Sequence, residues 1–271
     1  ADSAIIDDEE AVSIIADYRN EDEEGVTRDF NRYKGYQTII FFQHFIYQME
    51  HQHPWKYYLH PESFTDDDRE AVKHICASQK IEYDEQAVVN IYHHAQEYMD
   101  EANAPGLDGK TADRIRVLLW KMYYANCYAR YKEENHLFDF EDLLLYTYDI
   151  YRSDPTCKRY PWIQVDEVQD LNGMQLAIID LLTAEDNPMV MYLGDEQQAI
   201  FSFMGAKVET LTLLKMRCKG NIHHLQRNHR SPKYLLDVFN DYAEKQLKID
   251  PELLPLSDND TKATSGDLRI I

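Results

Sequence analysis

The chain has 271 residues, 44% hydrophobic and 28% charged, which suits a soluble globular protein of one or two domains, and its 9 Gly and 9 Pro against 20 Tyr favour helices over a turn-rich all-β fold. Its formal charge of −21, from 28 Lys and Arg against 49 Asp and Glu, argues against a general affinity for nucleic acid, so any phosphate contact must come from a local basic surface. Four scattered cysteines (Cys76, Cys127, Cys157, Cys218) with no C-x-x-C pair exclude a disulfide framework or zinc site, and with no run of 18 apolar residues and no signal peptide the expectation is an intracellular, cytoplasmic protein that makes no membrane contact.

The apolar residues Ala11, Val12, Ile14, Ile15 and Tyr18 fall at helical spacing, with Asp7 or Asp8 available as N-cap, so a helix is expected from Asp7 to about Tyr18. A polar stretch runs from Asn20 to Arg32, followed by an aromatic-rich helix from Tyr36 to Met49. His51, His53 and His60 sit among prolines with no second ligand cluster, which reads as a loop rather than a metal site. The acidic first turn T-D-D-D-R-E opens a helix from Thr65 to Gln79, and Asp84 to Ala102 reads as another. A long helix from about Thr111 to Glu134 has an apolar face broad enough for burial on two sides. The absence of a convincing strand up to this point makes the first half all-helical.

Near Asp139 the texture changes. D-F-E-D-L-L-L-Y-T-Y-D-I-Y-R is a short helix, W-I-Q-V-D-E from Trp162 is a strand ending in acids, and M-Q-L-A-I-I-D-L-L from Met174 is helical. M-V-M-Y-L-G-D from Met189 is a second strand ending in an acid, V-E-T-L-T-L-L-K-M is helical, I-H-H-L-Q from Ile222 is a third strand, and Pro232 to Gln246 is a helix. Strands alternating with helices predict a parallel α/β sheet, in which ligands gather at the carboxyl ends of the strands.

Two strands that deliver acids at those ends could hold magnesium and activate water, as in an NTPase of the P-loop type. The block V-D-E-V-Q-D (Val165 to Asp170) fits that role, although a solvated strand end would look the same. A second block, G-D-E-Q-Q-A-I-F-S-F-M-G-A (Gly194 to Ala206), and a third, L-Q-R-N-H-R-S-P from Leu225, narrow the reading.

In this order and spacing the three blocks resemble motifs II, III and IV of superfamily 1A helicases of the UvrD/Rep type. D-F-E-D-L-L resembles that family's D-F-D-D-L-L segment, and A-I-I-D-D-E-E-A-V-S-I-I resembles the segment that opens the helical insertion of its first motor domain. The resemblance implies a partial RecA-like P-loop NTPase sheet (α/β) plus an inserted all-helical lobe. Residues 1–135 would be the helical insertion, 136–250 the later part of the first RecA-like domain, and 251–271 a linker and the start of the next domain. It also implies ATP and magnesium as cofactors, single-stranded and duplex DNA as partners, and 3′ to 5′ movement.

Residue by residue, the resemblance gives Asp166 to magnesium and makes Glu167 the general base toward the attacking water. Gln169 and Gln198 would sense the γ-phosphate, Asp195 would lie at the nucleotide, and Arg230 would neutralise charge on the transferred phosphoryl group. His229 stands where the family has a Tyr stacking on adenine. Phe201 and Phe203 fall where it places aromatics that stack on single-stranded bases, core packing being the other reading. Met204 replaces the usual Arg of the R-G-A triplet, Ala199 replaces Ser and Phe201 replaces Tyr. Losing that Arg removes one polar link expected in motif III, a change that bears on the strength of ATP–DNA coupling and not on the fold.

A helicase of this class needs a glycine-rich loop ending in G-K-T after a buried strand. Gly109-Lys110-Thr111 supplies the tripeptide, but a polar helix end precedes it and Asp108 would aim a carboxylate into a phosphate nest. It reads as a decoy, and the chain as an internal piece of a longer enzyme, inactive alone. The motor part of a helicase–nuclease and a non-catalytic interaction protein that kept the fold remain as alternatives.

Overall fold

The computed structural model describes residues 4–6, 10–32, 34–51, 63–195, 198 and 208–262. The chain divides into two compact units, Ala1–Thr212 and Leu213–Ile271. The first unit runs through the 135/136 boundary drawn from the sequence.

The first unit begins with strand β1 (Ala4–Ile5), then helices α1 (Glu10–Arg19), α2 (Glu23–Arg32), α3 (Gly35–Glu50), α4 (Asp66–Gln79), α5 (Glu85–His93) and α6 (Gly109–Asn135). Strand β2 (Leu137–Phe138) returns to pair in parallel with β1, Ala4 opposite Leu137 and Ile5 opposite Phe138. This small ladder corrects the expectation of a purely helical first half. Helix α2 falls in the stretch read only as polar. Its apolar residues Val26 and Phe30 stand one turn apart and are both buried, and Asp22 accepts from the Gly25 N–H at 2.7 Å ahead of them.

The long α6 is the axis of this lobe. Ile115, Leu118, Leu119 and Met122 repeat at helical spacing and are fully buried, while Tyr124, Cys127 and Tyr128 bury a second side. Phe41, Phe42, Phe45 and Phe64 stack across the core at ring separations of 5.2–6.2 Å. Arg19 ties α1 to α6, its guanidinium 4.4, 4.7 and 4.8 Å from the rings of Trp120, Tyr123 and Tyr124. The helix expected over 84–102 stops at His93. Beyond it the backbone tightens to three-residue hydrogen bonds (Glu97 N–H to His94 carbonyl, 2.8 Å) and ends in a 3-10 turn, Met99–Asn103. The His51 ring stacks on Tyr47 at 4.0 Å; His53 and His60 lie outside the described residues.

Helix α7 (Phe140–Ser153) follows β2, then strand β3 (Trp162–Val165), helix α8 (Gly173–Leu182), strand β4 (Met189–Tyr192) and helix α9 (Val208–Arg217), which spans the division between the units. Strands β3 and β4 pair in parallel from Trp162 opposite Met189 to Val165 opposite Tyr192, the strand–helix–strand order the sequence predicts. Leu145 and Tyr148 of α7 pack with Met174 and Ile178 of α8 in a second, smaller core. The protein is therefore a helix-rich α/β chain with small parallel sheets.

In the second unit the strand expected at Ile222–Leu225 is absent. Residues 221–226 have no regular structure, and Leu225 is 92% exposed. An apolar run becomes a strand only where another strand meets its N–H and C=O groups. The described partner, β6 (Leu256–Ser257), pairs two residues later with β5 (Arg227–Asn228), in parallel. Helix α10 (Lys233–Lys245) lies between them in sequence.

A buried ionic knot joins the helical lobe to α7. Asp139, fully buried, caps α7 by accepting from the Asp142 N–H at 2.8 Å, and Asp142 returns the bond to the Asp139 N–H at 3.0 Å. Lys132 of α6 reaches Asp139 at 2.7 Å and Asp142 at 2.6 Å. Tyr128 donates to Asp139 at 3.0 Å, and Gln43 of α3 donates to both aspartates, at 3.1 and 2.5 Å. Next to them the buried His44 meets Glu141 at 2.7 Å. Burial raises both aspartates toward the neutral form. For Asp139 the Lys132 ammonium outweighs this and leaves it below the usual range, whereas Asp142, facing the Asp139 charge as well as burial, sits above it.

Candidate functional site

The acid-bearing ends of β3 and β4 lie side by side because the two strands are parallel and in register, and the Leu193 N–H extends the ladder to the Val165 carbonyl at 2.8 Å. The chain then turns sharply. Glu167 adopts a left-handed backbone, φ 51° and ψ 42°, unusual for a residue with a long side chain. Three contacts hold it there. The Glu167 N–H donates to the Asp166 carboxylate at 2.9 Å, the Val168 N–H to the Leu193 carbonyl at 3.0 Å, and the Asp170 N–H to the Glu167 carbonyl at 2.9 Å in a short 3-10 turn, Val168–Asp170.

The result is an exposed acid pair above a buried amide. Asp166 and Glu167 face solvent, whereas Gln169 is buried at 3% exposure. The Gln169 Nε2 donates to Glu167 Oε2 at 2.6 Å, and its Oε1 accepts the Asp195 N–H at 3.1 Å. Gln169 thus links the end of β3 to the end of β4. Asp195 in turn accepts from Gln198 twice, at 3.0 Å through its carbonyl and at 2.9 Å through its carboxylate. Five of the residues singled out in the sequence (Asp166, Glu167, Gln169, Asp195 and Gln198) are connected this way.

Phe201, Phe203, Ala199 and Met204 lie outside the described residues. His229 and Arg230 belong to the second unit. There Asn228 caps the turn, accepting the N–H of Arg230 at 2.9 Å and of Ser231 at 2.8 Å, and Arg230 is exposed. The largely exposed His229 lies 3.9 Å from Asp258, which also binds Arg227 at 3.1 Å.

A profile of the UvrD/REP helicase N-terminal domain matches residues 5–219. The chain belongs to this family. Among relatives, a probable DNA helicase II homolog of Mycoplasma capricolum is 25% identical over 194 residues, 66% of this chain and 26% of its own length. The ATP-dependent DNA helicase srs2 of Schizosaccharomyces pombe is 31% identical over 124 residues, 45% of this chain and 13% of its own. The ATP-dependent DNA helicase PcrA of Staphylococcus aureus is 28% identical over 131 residues, 46% of this chain and 18% of its own. The chain spans about a quarter or less of the length of these curated relatives.

Among the described residues of this UvrD/REP chain, no three His, Cys, Asp or Glu side chains are grouped to hold a metal ion. The exposed Asp166 and Glu167 fit an ion that keeps much of its water and takes one or two carboxylates, as magnesium does beside phosphates. The G-K-T tripeptide is differently occupied. It opens α6, where Asp108 as N-cap accepts the N–H groups of Lys110 at 3.0 Å and Thr111 at 3.1 Å and the Thr111 hydroxyl at 2.7 Å. Those bonds, the Thr111 hydroxyl first, hold the Asp108 carboxyl below its usual range, so the amides a phosphate would need already face an anion. No helix among the described residues is long and apolar enough to cross a membrane.

Two features escaped the sequence reading. The first is the knot around Asp139: the sequence marked D-F-E-D-L-L as a helix and a family segment, but not its partners Lys132, Tyr128 and Gln43. The second is Gly194, which a motif records but whose physical role appears only when β4 is laid against Gln169.

Proposed function

We propose that this chain is part of an ATP-driven DNA translocase and helicase, in which the ends of β3 and β4 handle the hydrolytic water. The observation that carries the reading is the exposed Glu167 carboxylate, fixed by Gln169 to the neighbouring strand end. A carboxylate open to solvent on one side and hydrogen-bonded on the other can accept a proton from water without changing its direction.

Bound ATP with magnesium supplies the γ-phosphoryl group and the cation that offsets its charge. Asp166 would hold the ion through its water shell, and Glu167 would orient water and take its proton. Gln169 and Gln198, linked through Asp195, would carry the state of the site toward the segment that includes Phe201 and Phe203, whose rings would stack on single-stranded bases. Arg230 would neutralise charge on the phosphoryl group and His229 would stack on the base. Movement from 3′ to 5′ belongs to the same proposal.

The test uses the full-length protein with ATP, magnesium and single-stranded DNA. Glu167→Gln is expected to leave nucleotide binding near wild type and to lower DNA-stimulated hydrolysis by about 10²–10⁴-fold, the usual cost of losing a general base. Phe203→Ala is expected to do the opposite, weakening single-stranded DNA binding by about 1–3 kcal/mol while basal hydrolysis changes little. Wild-type hydrolysis by Glu167→Gln would falsify the motor reading and leave a binding scaffold as the better account.

A further inference from the structure

We infer that Gly194 is a positioning residue for Glu167, acting through the Gln169 carboxamide. The inference rests on the proposal that Glu167 handles the attacking water, and it adds the element that sets where that carboxylate points.

Gly194 has no positive φ, so its backbone does not require glycine. Space does. A Cβ at Gly194 would stand 2.6 Å from Gln169 Oε1 and 2.7 Å from Val168 Cγ2, both closer than carbon atoms tolerate. The oxygen it would strike is the one that accepts the Asp195 N–H, and the nitrogen of the same carboxamide holds Glu167 Oε2. Gln169 is buried and used at both ends. Its oxygen must face the donor on β4's side and its nitrogen the carboxylate, so it has no second orientation that keeps both bonds. Pushing Gln169 away from Gly194 therefore moves the donor that fixes Glu167. The left-handed turn at Glu167 makes this control tight, because that backbone persists only where its surroundings hold it.

The experiment compares Gly194→Ala, Gln169→Ala, the double variant and Gln169→Glu in the full-length protein, with Glu167→Gln as control. Gly194→Ala is expected to lower kcat for DNA-stimulated ATP hydrolysis by about 10²-fold with KM for ATP unchanged, as when a reacting group is displaced by roughly 1 Å. The double variant should be no slower than Gln169→Ala alone, because both act through one side chain. Gln169→Glu adds no bulk and should still fold, yet it turns a donor into a like charge against Glu167, and the same loss of kcat at unchanged KM is expected. A second readout needs no turnover: in Gly194→Ala the Asp195 amide should exchange hydrogen about tenfold faster, having lost its acceptor.

Additive losses in the double variant, a loss confined to KM, or recovery of Gly194→Ala by Val168→Ala would overturn the inference, the last by tracing the effect to Val168. If Glu167→Gln is as active as wild type, the motor reading fails. If Glu167→Gln is inactive while Gly194→Ala and Gln169→Glu turn over normally, only the positioning role fails.

Discussion

Two short acidic segments, Asp139-Phe140-Glu141-Asp142 and Asp166-Glu167-Val168-Gln169, have similar composition and opposite surroundings. In the first, the carboxylates of Asp139 and Asp142 meet Lys132, Gln43, Tyr128 and each other's backbone, and Glu141 meets His44. In the second, Asp166 and Glu167 face solvent, and among the described residues a single side chain, Gln169, bonds the Glu167 carboxylate. A carboxylate whose acceptor sites are filled by the fold can only hold the fold together. One fixed at a single oxygen and otherwise open keeps capacity for an ion or a water.

That contrast can be broken by substitution. The largest change is expected in catalysis, from Glu167→Gln, which should leave the thermal midpoint of the protein near wild type because the side chain is exposed. A large fall in stability would make Glu167 a structural acid and erase the distinction.

Next comes Asp139→Asn. Removing one partner of a buried pair costs about 3–5 kcal/mol, and the low end, about 3, is expected because Asp142 stays beside Lys132. Denaturant unfolding measures it. The pH dependence follows from the lowered Asp139: its contribution is present above the ordinary aspartate range and is lost as pH falls through its depressed folded value. The raised Asp142 works in the other direction, favouring the folded state as it takes up a proton on the way down. The knot should therefore survive mild acid as a Lys132–Asp139 pair.

Asp142→Asn sharpens the same point, since burial and the Asp139 charge already push the Asp142 carboxyl up from the usual range. A cost of about 1 kcal/mol is expected, that of one ordinary hydrogen bond. A loss equal to that of Asp139→Asn would show that the two aspartates share the charge evenly. The smallest effect is expected from Lys110→Ala, which should leave ATP hydrolysis by the full-length protein unchanged. The 271-residue chain alone should show no turnover for that substitution to remove.

Much of the fold could be read from local pattern. Helix α6 announced itself through apolar residues at Ile115, Leu118, Leu119 and Met122, and β3 and β4 through short apolar runs closed by acids. What escaped depended on partners distant in sequence. Helix α2 has only Val26 and Phe30 to mark its face, and β5 is placed by residues 256–257 rather than by its own apolar neighbours. At the site, residue types were legible from the motifs, whereas the Gln169–Asp195 bond, 26 positions apart, and the Gln43–Asp139 bond, 96 apart, appear only in three dimensions.

The parallel pairing of Ala4–Ile5 with Leu137–Phe138 brings the entry and exit of the whole helical lobe to adjacent strands, about 4.8 Å apart as sheet neighbours are. A segment whose two ends meet in this way behaves like a cassette. It can be lengthened, shortened or exchanged between relatives without moving the chain on either side, provided the new piece returns to the same doorway. A chimera carrying a different helical bundle between Ile6 and Leu137 therefore needs to preserve the strand pair that forms the doorway and the side chains that meet α7, Lys132, Tyr128 and Gln43 at Asp139 and His44 at Glu141.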